Sequence, residues 1–213
     1  MDLLTELAAS YDRVCDTVSA MAEDELREPS ALPGWNRADV VTHLARSADA
    51  YRRLLAIARG QNPPAPREDL RTGFSALFAD ARAMPAAAWD APVTARGGWS
   101  HPARFTLQRC RRELETHHVD LAAGYRTADW PTGYVEWALD DTLAALAARR
   151  FGPVTVHAVD LDRRWDLGTD GPSAAGPGHA LLAWLSGRAD GRELGAELPV
   201  PPAWPLPPVR FRP

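Results

Sequence analysis

The sequence has 213 residues, with 24 basic against 28 acidic side chains and a net charge of −4; this length suits one large domain or a helical bundle with a small appendage. With no strongly basic run, that balance argues against a broad nucleic-acid or anionic-membrane footprint. Every basic residue is an arginine, which excludes Schiff-base lysines, a pyridoxal-phosphate lysine and a Walker-type phosphate-binding lysine.

The chain opens acidic and amphipathic, Met1-Asp2-Leu3-Leu4-Thr5-Glu6, without the basic and apolar regions of a secretory signal. No later stretch is long enough to span a bilayer, so a soluble cytoplasmic protein is expected. Leu4, Leu7, Tyr11, Val14, Cys15, Val18 and Met21 recur at helical spacing and predict a helix over about 2–22. After a break at 29–34, Asn36 is a natural N-cap and Asp39 suits the first turn of a second helix running to about Arg59. Its apolar face is Val40, Leu44, Ala48, Tyr51 and Leu55, with His43 at the edge.

Gly60 and the proline-rich stretch 61–66 form a linker. A third helix is expected over about 67–83, carrying Leu70, Phe74, Leu77 and Phe78, and residues 86–100 read as a loop containing Trp89 and Trp99. The fourth helix lies within 102–124. Its stripe is Leu107, Cys110, Leu114 and Leu121, with His117 in the missing position and Glu113 one turn earlier. Cys15 and Cys110 thus both fall on apolar faces. Two cysteines are too few for a disulfide scaffold or a cysteine-ligated metal, and they read as core thiols.

Pro131 is placed at the first turn of a fifth helix ending near Arg150. The alternation of 154–159, a turn at 160–163 and a return over 164–167 predict a hairpin. A glycine- and proline-rich loop follows, then a short helix over 178–185 and a proline-rich tail, 199–213. The pattern divides the chain into a helical bundle, 1–128, and a connecting helix with a small α/β domain, 129–213.

At four residues apart on a helix, Glu113 and His117 can grip one object. Antiparallel packing allows His43 to join them, because bundle cores build metal sites from facing side chains. Two imidazoles and a carboxylate suit zinc or another divalent metal, with an open position for chemistry. On periodicity alone, a polar Glu–His seam without a metal is an equally open reading. Asp120 is either an acceptor for a ligand imidazole or a solvated helix-end carboxylate. Glu115 and His118 point to other faces and read either as solvated or as residues that support the site from behind.

The segments Leu32-Pro33-Gly34-Trp35, Asp39-Val40-Val41-Thr42-His43-Leu44 and Arg112-Glu113-Leu114-Glu115-Thr116-His117-His118-Val119-Asp120-Leu121 resemble the mycothiol-dependent maleylpyruvate isomerase family of DinB-like proteins. The likeness extends to Val154-Thr155-Val156, Trp165 and Leu182-Ala183-Trp184-Leu185-Ser186-Gly187-Arg188 in the C-terminal part. It implies a mainly α protein, a DinB-like four-helix bundle followed by a small α/β domain, with His43, Glu113 and His117 holding a divalent metal, zinc above others. It implies mycothiol as thiol cofactor or cosubstrate. A metal-activated thiolate would add to a small electrophile, giving cis–trans isomerisation or thiol S-transfer. A catalytic role for Arg188, pairing with a substrate carboxylate, follows from the same likeness; read by itself, Arg188 is a surface arginine after a helix. The alternative function is a non-catalytic metal-binding bundle with a stress or regulatory role.

Overall fold

A computed structural model of the protein describes residues 2–152, 154–168, 170–195 and 197–203; residues 204–213 of the proline-rich tail lie outside the described residues. The chain divides into two compact units, Met1–Arg126 and Thr127–Pro213. No helix among the described residues is long and apolar enough to cross a membrane.

The first unit is built on four helices: α1 (Leu3–Ala20), α2 (Arg37–Ala58), α3 (Leu70–Arg82) and α4 (Phe105–Asp120). Helix α2 packs on α3 and α4, and α1 packs on α4 and α3. Leu7, Leu44, Leu55, Phe74, Leu77 and Leu114 are fully buried between them, each worth about 1.5–3 kcal/mol of transfer free energy. Cys15 and Cys110 are both buried thiols in this core.

Local chemistry sets where α2 begins. Gly34 adopts a left-handed φ of 79°, which glycine tolerates without a Cβ clash, and the turn closes with Trp35 N donating to Leu32 O at 3.1 Å. Asn36 and Asp39 then form a reciprocal capping box, with amide-to-carboxamide and amide-to-carboxylate bonds of 2.8 and 2.9 Å. That start places His43 two turns into α2. Asp69 caps α3, accepting from the Thr72 amide and hydroxyl at 2.9 Å each.

Residues 86–100 are not the plain loop expected. A 3-10 turn over Ala86–Asp90 leads into strands β1 (Pro92–Thr94) and β2 (Ser100–Pro102), which pair antiparallel with Val93 opposite His101. Three-residue strands are too short to show a period of two in sequence, so only the pairing reveals them. The hairpin is tied back onto the unit by the bonds Ala103 N to Ala91 O and Arg104 N to Trp89 O, at 2.9 and 2.8 Å.

The second unit contains α5 (Thr132–Ala148), β3 (Val154–Ala158), β4 (Arg163–Leu167), β5 (Ser173–Gly176) and α6 (Gly178–Leu185). Pro131 is the N-cap of α5, one position earlier than its expected place in the first turn. The hairpin β3–β4 forms as its alternation predicts, Val156 opposite Trp165. The glycine- and proline-rich segment that follows is not the loop its composition predicts. Instead β5 adds parallel to β3, giving the sheet order β4-β3-β5. Its sequence Ser-Ala-Ala-Gly carries no apolar alternation, and Ala174 alone within it is buried. Helix α6 packs on α5, β3 and β5, and Trp184 and Tyr134 are among the large side chains buried in this unit. The whole is mainly helical with a small α/β part.

The Asp69 cap generates a stability prediction. Bonds from the Thr72 amide and hydroxyl hold its carboxyl below the ordinary carboxylate value, so its contribution is fully present above the unfolded-state pKa and is lost as pH falls through the folded one. Asp69→Ala is expected to cost about 1 kcal/mol at neutral pH. Urea titrations at a series of pH values should show the gap between wild type and variant closing in acid.

Candidate metal centre

Helix α2 presents His43 and helix α4 presents Glu113 and His117 to a common point. Glu113 Oε2 lies 2.9 Å from His43 Nε2 and 3.3 Å from His117 Nε2. All three candidate ligand atoms fall within 4.8 Å of one another. The two imidazole rings stand edge to face, centroids 4.6 Å apart. The side chains of Glu113 and His117 are 18% and 16% exposed and that of His43 is 35% exposed, so the cluster opens to solvent on the α2 side. There the ring of Trp35 meets His43 edge-on at 5.6 Å.

Asp120 is the acceptor, not the solvated carboxylate. It is buried, and its Oδ2 lies 2.8 Å from His117 Nδ1. This bond puts a proton on Nδ1 and aims Nε2 at the cluster, the usual support for a metal-binding imidazole. Burial by itself would raise the Glu113 carboxyl, but the hydrogen bonds and charges of His117 and His43 win and hold it well below the ordinary range. Burial likewise disfavours charge on His117, yet hydrogen bonds to Asp120 and Glu113 outweigh it and raise its pKa to about 9. The surroundings therefore favour positive charge at this point.

The donor set fits a divalent cation. Zinc binds His nitrogen and carboxylate oxygen at about 2.0–2.2 Å, so two such ligands at a tetrahedral angle stand about 3.4 Å apart. The two carboxylate-to-imidazole separations here are close to that. Three protein ligands of this kind leave a coordination position for a small molecule.

Arg188 lies in the second unit, in the turn after α6, half-buried, with its Nη1 donating to Ser186 O at 2.7 Å. Glu115 and His118 are not solvated: both are buried on α4. Glu115 accepts from Ser10, from Arg13 at 2.6 Å and from the Tyr125 hydroxyl at 2.6 Å. His118 Nε2 meets the Thr17 hydroxyl at 2.7 Å, and its ring stacks on Tyr125 at 3.8 Å. These positions face α1 and the segment after α4, which a single-helix reading cannot distinguish from solvent. Trp35 is partly exposed beside His43.

Residues 7–122 match the family model described as the mycothiol maleylpyruvate isomerase N-terminal domain. This is more than half of the chain, and the protein belongs to that family. The fold is shared with the crystal structure of the mycothiol-dependent maleylpyruvate isomerase and with that of a histidine-to-alanine mutant of the enzyme. Each is 22% identical with a TM-score of 0.82, over 96% of this chain and 98% of that one. No curated protein matches the chain.

Single substitutions His43→Ala, Glu113→Ala and His117→Ala are each expected to abolish stoichiometric metal binding with helical circular dichroism retained. Asp120→Asn is expected to weaken metal affinity about 10–100-fold. Elemental analysis and competition against a chromophoric chelator measure both; metal retained by all three alanine variants would remove the centre.

Proposed function

We propose that the protein is a mycothiol-dependent isomerase of the maleylpyruvate type, using a divalent metal, zinc by preference, held by His43, Glu113 and His117. The observation that carries this reading is the convergence of those three side chains from two helices, within a chain of this family. When bound, the metal supplies the Lewis acidity that keeps a coordinated thiol deprotonated near neutral pH, and mycothiol supplies that thiol.

The protein's own groups have distinct tasks. Glu113 stays anionic and neutralises part of the cation's charge. Asp120 keeps its hydrogen bond to His117 Nδ1, fixing the imidazole's tautomer and direction. Arg188 offers a planar guanidinium to a substrate carboxylate, a bidentate contact that a lysine cannot copy. The substrate is a small electrophile with an activated carbon–carbon double bond. In isomerisation the sulfur nucleophile adds, the resulting single bond rotates, and elimination regenerates both double bond and thiol. In S-transfer the adduct would be released as product. A cytoplasmic place of work belongs to the same reading.

The test couples metal and thiol. Cobalt-substituted protein titrated with mycothiol should develop a sulfur-to-cobalt charge-transfer band, and the zinc protein should convert maleylpyruvate only when mycothiol is present. Arg188→Ala should raise KM at least tenfold with metal content unchanged. Bound cobalt whose spectrum no thiol perturbs would leave a non-catalytic metal-binding protein. Consumption of one thiol per electrophile would identify a transferase.

A further inference from the structure

Arg109 lies on the same strip of α4 as Glu113 and His117, four and eight residues before them, roughly 6 and 12 Å along the axis. Tyr51 stands eight residues after His43 on the facing strip of α2. The Arg109 guanidinium carbon lies 4.0 Å from the ring centre of Trp99 and 5.5 Å from that of Tyr51. It therefore spans the gap between α2 and α4 under the β1–β2 hairpin, about one turn from Glu113 and two from His117.

The polar edge of this guanidinium is unused. Its contacts are with the two rings, and among the described residues no carboxylate pairs with it. This differs from arginines elsewhere in the unit: Arg52 and Arg59 share Asp80, and Arg111 pairs with Glu6. A half-buried arginine held between aromatic rings keeps a fork of donors in place at little entropic cost. A second polar group at the same corner is also unsatisfied. His101 Nδ1 donates to Pro102 O at 2.8 Å, leaving buried Nε2 as an acceptor with no donor, and its ring lies 5.5 Å from Trp99.

We infer that Arg109 is a specificity-determining residue that holds a carboxylate of the electrophilic substrate at the far end of the strip from the metal cluster. The assignment rests on the isomerase reading for its effect on turnover, though not for binding. A fixed fork on packed aromatic rings selects a carboxylate over a neutral group of the same shape, because a neutral group leaves the donors unpaired.

The test uses the full zinc-loaded chain and maleate as probe, with affinity read by isothermal titration. Arg109→Gln is expected to weaken maleate binding about tenfold to a hundredfold, with metal content unchanged. Arg109→Lys keeps the charge and the stem, serves if the glutamine variant does not fold, and is expected to lose at least fivefold because it has no planar fork. In turnover both should raise KM while kcat stays within a few-fold, the signature of binding shared by ground and transition states. Maleate affinity within twofold of wild type in the folded variants, or no maleate binding by wild type, overturns the assignment. Wild type that binds maleate through Arg109 but shows no mycothiol-dependent turnover upholds it and overturns the isomerase reading.

Discussion

The candidate centre depends on one carboxylate held between two imidazoles from different helices. Glu113 is drawn from water into the seam between α2 and α4, which costs several kcal/mol unless charge or hydrogen bonds compensate. His43 and His117 compensate it, and Asp120 in turn supports His117. Two acids and two bases thus alternate along a chain of contacts, and loss of any member leaves a neighbour buried without its partner. The same alternation makes the point between them attractive to a cation.

That arrangement needs α4 to be held firmly on its other sides, and the polar residues there do so. Glu115 gathers Ser10, Arg13 and Tyr125, while His118 joins Thr17 to the stacked ring of Tyr125. These groups are paired with α1 and with the segment that leaves α4, so they fix the rotation of α4 about its axis. A helix held by aliphatic contacts alone could rotate or slide with less penalty, since apolar packing is less directional than a hydrogen bond. Rotation by one residue, about 100°, would take Glu113 and His117 away from His43.

The candidate metal site and the aromatic corner share one strip. Successive positions four apart on α4, Arg109, Glu113 and His117, are all functional candidates, and the facing strip of α2 contributes His43 and Tyr51. The first unit therefore offers a polar line between α2 and α4, with a candidate cation site at one end and a cationic fork at the other. The β1–β2 hairpin contributes Trp99 to that line and turns residues that read as loop into part of its wall.

Residue order alone determined the helices, the Asn36 cap of α2 and the spacing that pairs Glu113 with His117, because each depends on contacts within four residues that a 3.6-residue period records. The hairpin β3–β4 is legible through its period of two, whereas Asp69, inside the helix expected from about residue 67, caps a helix that begins at Leu70. Only the tertiary structure decided what lies across a helix. It brought His43 to Glu113 over 70 positions, turned Asp120 inward, and showed that Glu115 and His118 face α1 instead of water. It also decided strands β1, β2 and β5, whose three or four residues carry no period and exist only because a partner strand completes their hydrogen bonds. Arg109 escaped the linear reading because an arginine on a helix is ordinarily solvated; two aromatic rings from distant segments are what make it a fixed donor.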